Sequence, residues 1–578
     1  MLPKNLFSLL WNFVIFIIFF INQSFGSANL IKRDLSLNRS NGPKNILATS
    51  IIGGSHLPQM LEILKILQDR GYNVTLISPG NYTAQSINYR SIPQVIFEIE
   101  DFNIRHRKPP EIDEAFLDND FSKLLSVVAK IGVQSYVPYY NIYKQINDEI
   151  NTDLFLCDNL INEPCFDLAW KLGKPAVGIS SDLSQFINSP YKSDPIVGCH
   201  VNMENESFYN RFKCAIIMPL MHAWFSKESL KDLNAKRANV GIDPYWDPKG
   251  RVSNRLMLSN NFYGFEIPSS DSPLHQNIGP VIPDTFPGIT PVLDSFLNTH
   301  PRTIYFALGT NVIISPQNVI TILKSFLELI DQNIIDGVIW STVRTDISES
   351  LQLTNSSSQI SSTLNNEHPH IHISKFTPQF AILSHINTKL FLSHGGAASC
   401  HESMYTATPM LVLPIMGDQP RNAEMLESAG IALTISKANL KIDDIVSKVK
   451  RLLNEISFKR NAERLQFLVK VNSKRKYRAA DLIEIVMNTV KYQGVKDENG
   501  GFKVDNENLL RDWITADTRM GFIRGKYLDI YGAAIILFLA LFGGFTYTLW
   551  KISKYLYITF KNENNNSKKS FKLKKKRN

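Results

Sequence analysis

The sequence predicts an α/β chain with two doubly wound, parallel-sheet halves facing a cleft, followed by a C-terminal membrane helix. Three observations carry this expectation. Short β-branched runs, glycine turns and helix-spaced leucines follow one another in both halves, the order that builds parallel sheets. A proline-dense stretch, with Pro280, Pro283, Pro287 and Pro291, lies between the halves. Near the end, Ile530 to Trp550 runs 21 residues without a charge and meets a basic tail at once.

Composition sets the outer limits. At roughly 150 residues per domain, a chain of 578 residues holds two to four domains. With 44% hydrophobic and 20% charged residues it is neither disordered nor collagenous. Five cysteines are too few for a disulfide framework, and their odd number leaves at least one unpaired within the chain. The net charge is +9, yet residues 551–578 alone hold ten Lys/Arg against one acid, Glu563. The remainder carries 52 basic and 52 acidic side chains, so the body is neutral. A neutral body argues against nucleic acid as a partner.

The N-terminus has one charge at Lys4, an apolar run from Leu6 to Ile21 and small residues at Ser24–Ala28. That pattern predicts a signal peptide over residues 1–28, cleaved after Gly26 or Ala28; the alternative is an uncleaved anchor. The first half, 40–285, opens with a strand at Asn45–Ile52, a turn at Gly53-Gly54-Ser55 and a helix through Leu57, Met60, Leu61, Leu64 and Leu67. Gly71 ends that helix and Val74–Ile77 is the next strand, which completes a βαβ unit. The same logic recurs with strands at Leu154–Cys157 and Ala176–Ile179 around a helix at Phe166–Leu172. After a linker near 280–295, the second half, 286–510, is expected to hold strands at Thr303–Leu308, Gly337–Trp340, Leu390–Ser393 and Met410–Leu413. A helix is expected near Pro316–Asp331, and residues 442–492 read as helical with solvated basic faces.

Residues 530–550 are long enough to cross a bilayer, and the positive-inside rule places the 551–578 tail in the cytosol. The expected topology is single-pass type I, with the folded part lumenal. The ending Lys575-Lys576-Arg577-Asn578 resembles a dilysine retrieval signal, which points to the endoplasmic reticulum membrane; the alternative is a polybasic stretch that only fixes topology. Sequons at Asn38, Asn73, Asn81, Asn205 and Asn355 fall on the lumenal side.

The densest chemistry lies at 391–430, FLSHGGAASCHESMYTATPMLVLPIMGDQPRNAEMLESAG. A strand ends at Ser393, His394-Gly395-Gly396 turns, and a helix begins around Ala398. Glycines admit a ligand close to the backbone, and free N–H groups at the helix start suit a phosphate or diphosphate. Glu402, about two turns on, suits ribose hydroxyls, while adjacent Asp418 and Gln419 suit a polyhydroxylated sugar.

This segment resembles the signature of the UDP-dependent glycosyltransferases, the UDP-glucuronosyltransferase-like superfamily. His394, Gly395, Gly396, Ser399, Glu402, Pro409, Pro414, Asp418, Gln419 and Asn422 stand in register. The resemblance implies a GT-B fold: two Rossmann-like domains, the N-terminal one for the acceptor and the C-terminal one for the UDP-sugar. It implies that Phe376 stacks on uracil and Gln379 contacts the nucleoside. Gly309, Thr310 and His394 would meet the diphosphate, Glu402 the ribose, and Asp418 and Gln419 the sugar. It also implies that His56, after the first strand, is the catalytic base and that Asp158 orients it, with Asp153 and Asp167 as the nearby alternatives. The reaction implied is inverting transfer of a hexosyl group to a hydroxyl of a lipophilic small-molecule or lipid acceptor. The UDP-sugar is then a co-substrate, with no cofactor and no metal. No Asp-x-Asp precedes a plausible phosphate site.

The sequence departs from the family pattern at three places. Phe376 stands for a usual Trp, Ala398 for a usual Asn, and Ala407-Thr408 for a common Gly-Val. The alternative reading is a catalytically inactive relative that binds a lipophilic ligand or partner. Aromatic segments Phe121–Tyr143 and Phe208–Phe225 fit either an acceptor pocket or ordinary core. A homo-oligomer is a possible further state. A dehydrogenase reading fails because the first turn is GGSH rather than G-x-G-x-x-G, and a zincin reading fails because His401-Glu402 lacks the second His.

Overall fold

Strand β1, Asn45–Thr49, is buried along nearly its whole length, as a central strand covered on both faces must be. Pro58 opens helix α1, Leu57–Asp69, where a missing N–H costs nothing. Its Leu57, Met60, Leu61, Leu64 and Leu67 pack against the sheet. Each such side chain contributes about 1.5–3 kcal/mol relative to exposure. The chain continues through β2 (Asn73–Ser78), β3 (Gln94–Ile96), α2 (Phe121–Ile150), β4 (Leu154–Asp158), α3 (Glu163–Leu172), β5 (Ala176–Ser180), α4 (Met218–Asn239), β6 (Met257–Ser259) and β7 (His275–Asn277). These strands form one parallel sheet in the order β3-β2-β1-β4-β5-β6-β7.

The second half repeats the scheme. It comprises α5 (Pro291–Thr299), β8 (Thr303–Ala307), α6 (Pro316–Asp331), β9 (Gly337–Ser341), β10 (Ile371–Ser374), α7 (Gln379–Ser384), β11 (Thr388–Ser393), α8 (Ala397–Thr406), β12 (Met410–Val412), α9 (Gln419–Ser428) and β13 (Ala432–Thr434). Its parallel order is β10-β9-β8-β11-β12-β13. Three helices follow: α10 (Ile442–Asn454), α11 (Ile456–Asn472) and α12 (Lys476–Gln493). Last comes α13, Leu528–Lys574. Within it, Leu528–Lys569 is long and apolar enough to cross a membrane.

This computed structural model describes residues 42–99, 121–180, 199–200, 203–247, 254–266, 268, 272–310, 312–343, 345, 350, 358–415, 417–496, 502–506 and 508–574. The expected signal peptide, the sequons at Asn38 and Asn355 and the terminal dilysine lie outside them.

Packing crosses the expected division of the chain at two places. The sequence reading puts 286–510 in the second half, but Ala479, Leu482, Ile483, Val486 and Met487 of α12 pack in the core beside α1 and β1. Conversely, Phe262 and Phe265, from within 40–285, pack with Phe391, Cys400 and Met404 of the second half. Apolar periodicity shows that a helix has a buried face, not which sheet buries it. Of the two aromatic segments, the first supplies core: Tyr136, Tyr139, Tyr140 and Tyr143 are buried. In the second, Phe208, Tyr209, Leu220, Trp224 and Phe225 are exposed.

Candidate functional site

In both sheets the order reverses beside the first strand, between β1 and β4 and between β8 and β11. In a doubly wound sheet, ligands bind in the crevice outside the carboxyl ends of such strands. His56 and Asp158 stand at the first switch point. Gly309, Thr310, His394 and Gly395 stand at the second.

After β1 the chain turns through Gly53 (φ 64°) and Gly54 (φ 60°), conformations that favour glycine. At Gly53 a Cβ would also press on Pro79 at 3.1 Å. The turn delivers His56, whose Nδ1 lies 3.1 Å from Asp158 Oδ1 at the end of β4. Ser50 Oγ donates to the other Asp158 oxygen at 2.7 Å and accepts from Gly53 N at 3.1 Å. One hydroxyl thus ties the turn to the carboxylate. Asp158 is 1% exposed and His56 16%. Burial pushes the His56 pKa down most strongly, but the Asp158 charge and hydrogen bond, helped by Asp418, carry it above the ordinary value. Asp418, from the second half, is thus near enough to His56 for its charge to act on the ring.

The neighbouring carboxylates sort themselves by contact. Asp153 Oδ2 accepts from the backbone of Lys44 at 2.7 Å and of Asn45 at 3.0 Å, and so caps β1. Asp167 is engaged by Arg237 Nε at 2.7 Å and Tyr136 Oη at 2.8 Å. Only Asp158 of the three meets His56.

At the second switch point the His394 ring lies against two glycines. A Cβ on Gly396 would come within 2.4 Å of its Nε2, and one on Gly309 within 2.7 Å of its Cε1. Burial pushes the His394 pKa down to about 4, so the ring is neutral at physiological pH and offers a single N–H. Gly395 (φ 83°) sets the turn into α8, whose N-cap Gly396 supplies no side-chain bond. The Asp418 Oδ2 atom accepts from Ala397 N at 3.3 Å and from Asn422 Nδ2 at 2.7 Å. Asn422 also donates to Gly395 O at 2.9 Å. Gln419 Oε1 accepts from Ile415 N at 2.9 Å.

One helical face of α8 carries Ser399 and Glu402. Gln379 Nε2 donates to Glu402 at 2.7 Å and to Ser399 Oγ at 3.3 Å. Burial pushes the Glu402 pKa up to about 7, against the opposing Gln379 bond. Phe376, before α7, is 73% exposed, an open ring face available for stacking. Of the expected residues in the second half, Gly309 and Thr310 follow β8, Phe376 and Gln379 follow β10, His394, Gly395, Gly396, Ser399 and Glu402 follow β11, and Asp418 and Gln419 follow β12. Ser50 was not legible in the sequence, because a bridging hydroxyl has no local pattern. His401, next to Glu402, is a core residue beside Phe262 and Phe265, its pKa pushed down to about 4 by burial.

Comparison with known proteins places this arrangement. Residues 197–492 match the family model described as UDP-glucoronosyl and UDP-glucosyl transferase. The chain is 28% identical over 515 residues to a UDP-glycosyltransferase of Talaromyces amestolkiae, covering 86% of this chain and 95% of that one. It is also 28% identical over 464 residues to UDP-glycosyltransferase 1 of Phaeomoniella chlamydospora, covering 76% and 91%. Among solved structures, the glycotransferase of kitacinnamycin superposes with a TM-score of 0.55 at 18% identity, covering 77% of this chain and 99% of that one. That likeness speaks for the fold.

Proposed function

Because the chain belongs to the UDP-glucoronosyl and UDP-glucosyl transferase family, and is thus a UDP-glycosyltransferase, we propose that it transfers a hexosyl group with inversion to a hydroxyl of a lipophilic acceptor, with His56 as general base. The observation that carries this reading is the His56–Asp158 contact at 3.1 Å, facing Asp418 across the cleft. With Nδ1 engaged by the carboxylate, Nε2 is left to take the acceptor proton. The acceptor oxygen forms a bond to the anomeric carbon as the bond from that carbon to the diphosphate oxygen breaks. UDP leaves with the electron pair. Its growing charge meets the neutral His394 N–H and the N-terminus of α8, an electrostatic role worth up to about 2 kcal/mol for the helix end alone. In this reading Phe376 and Gln379 hold the nucleoside, Glu402 the ribose, and Asp418 and Gln419 the sugar.

The test is UDP release by the detergent-solubilised full chain over a panel of UDP-glucose, UDP-glucuronate, UDP-galactose and UDP-N-acetylglucosamine, with pooled lipophilic alcohols and EDTA. The expected result is turnover with one donor, reduced about 10²–10⁴-fold in His56→Ala, the range for losing a general base. NMR of the product gives the anomeric configuration, and inversion is expected. UDP binding without turnover on any donor would favour an inactive relative instead.

A further inference from the structure

The start of α9 is fastened from the other half of the molecule. Arg421, in its first turn, donates from Nη1 to Glu266 Oε2 at 3.0 Å and from Nη2 to Glu266 Oε1. Glu266 lies 155 residues earlier, on the strap that leaves β6 of the first sheet. Its side chain is 0% exposed, and that of Arg421 is 9% exposed. Asn261 on the same strap donates to Glu266 Oε2 at 2.6 Å and so fixes the carboxylate plane. A fork-on-carboxylate contact sets orientation as well as attraction.

Two facts connect this pair to the donor side. First, Asn422, the residue after Arg421, bonds both Gly395 O and Asp418 Oδ2. Second, the strap's Phe262 and Phe265 lie 6.2 Å, centroid to centroid, from His401 on α8. One strap therefore grips both helices, α8 and α9, at whose starts the donor residues stand.

We propose that Glu266 and Arg421 are positioning residues for the sugar donor: their buried pair fixes the first turn of α9 so that Asp418 sits at the N-terminus of α8. The inference rests on the reading of Asp418 as a sugar contact. In that reading UDP itself meets Phe376, Gln379, Gly309, Thr310, His394 and Glu402, none of them on α9, so the pair governs the sugar and leaves the nucleotide alone. A purely structural pair would instead weaken both ligands together, or only lower the thermal midpoint.

The experiment uses the full chain in detergent, with UDP and whichever of the four UDP-sugars supports turnover. Removing one partner strands a buried charge and endangers folding, whereas two apolar residues of similar length often keep a fold. The informative variant is therefore the double replacement Glu266→Met with Arg421→Met, beside Asp418→Asn and the triple combination. The expected result for the Met pair is a KM for the UDP-sugar raised about tenfold, with the UDP dissociation constant and the acceptor KM within about twofold of wild type. The triple variant is expected to lose no more than Asp418→Asn alone, since both changes act through one carboxylate. Wild-type donor KM in the folded Met pair would overturn the inference while leaving the Asp418 reading intact, provided Asp418→Asn loses the donor. Multiplicative losses in the triple variant would overturn it as well. If Asp418→Asn binds the UDP-sugar normally, the donor reading fails and takes this inference with it. Should the Met pair not fold, Arg421→Lys keeps the charge but not the fork; the same selective rise in donor KM is expected, and its absence overturns the proposal.

Discussion

In the proposed role of general base, His56 accepts a proton only when neutral, so its environment would set the pH at which the reaction runs. Asp158 holds its pKa above the ordinary value despite burial. The rate should therefore climb with pH through a midpoint above that of a free imidazole. Asp158→Asn should lower both the midpoint and the plateau, read from the pH dependence of kcat/KM. The Glu402 pKa is raised as well. Its folded pKa, about 7, lies above that of the unfolded chain, so its contribution to stability is present at low pH and lost as pH rises through 7. The ligand-free protein should therefore lose thermal stability between about pH 5 and 8, and Glu402→Gln should flatten that loss. In the proposed role of Glu402 as the acceptor of ribose hydroxyls, UDP should bind more tightly across the same window, and the variant should lose this dependence in calorimetry. At this scale the sequence was informative wherever a motif fixed the neighbourhood, as for His394 and Glu402. The resemblance chose Asp158 with Asp153 and Asp167 as nearby alternatives, and contacts from Lys44, His56 and Arg237 tell the three apart.

Strand–turn–helix units were the most legible elements, since their signals are local. β1 with α1, β8 with α6, and β11 with α8 all start within two residues of where periodicity and glycine turns put them. The strands that sequence reading passed over, β3, β6, β7, β10 and β13, are three or four residues long. Such segments become strands because a neighbour supplies hydrogen bonds, and no run of that length carries a period. The return of α12 to the first sheet was hidden for a related reason. Its Lys476, part of a stretch read as solvated, is 3% exposed and bonds Glu62 at 2.8 Å. The junction of β11 and α8 is closely packed and has a direct test. Gly396→Ala would set a methyl 2.4 Å from His394 Nε2. Overpacking of this kind costs about 1–3 kcal/mol. UDP affinity should fall about ten- to a hundredfold, with an unchanged far-ultraviolet circular dichroism spectrum.

The molecule as a whole is not closed against water. Ile535, Leu537, Phe538, Leu541, Phe542 and Phe545 of α13 are each more than half exposed, and none of the apolar window of that helix is buried by protein. Leaving a row of such side chains in water forfeits about 1.5–3 kcal/mol apiece, so a bilayer is the natural cover. Two disulfides, Cys157–Cys165 and Cys199–Cys214, lie in the first half, with Cys400 free. The sequence required one odd cysteine but not these pairings, of which Cys157–Cys165 depends on β4 meeting α3. Disulfides persist in oxidising compartments. Asn73, Asn81 and Asn205 are exposed at their sequons. These features are consistent with the expected lumenal body and cytosolic basic tail, and in that orientation the first disulfide would have a functional consequence. Cys157 immediately precedes Asp158, so the bond to Cys165 braces the turn that carries the orienting carboxylate. In microsomes, the chain should resist carbonate extraction, and Asn81→Gln and Asn205→Gln should each remove one endoglycosidase-sensitive step in gel mobility. Added protease should trim only the tail. Expression with the body held in the cytosol should leave the buried Cys157 a free thiol, alkylated only once the chain is denatured, and lower kcat more than it raises the KM for the donor, since the second half holds no disulfide among the described residues. An unglycosylated chain whose Cys157 is alkylated after denaturation without reductant, and which has full activity, would instead place the body in the cytosol and make the brace dispensable.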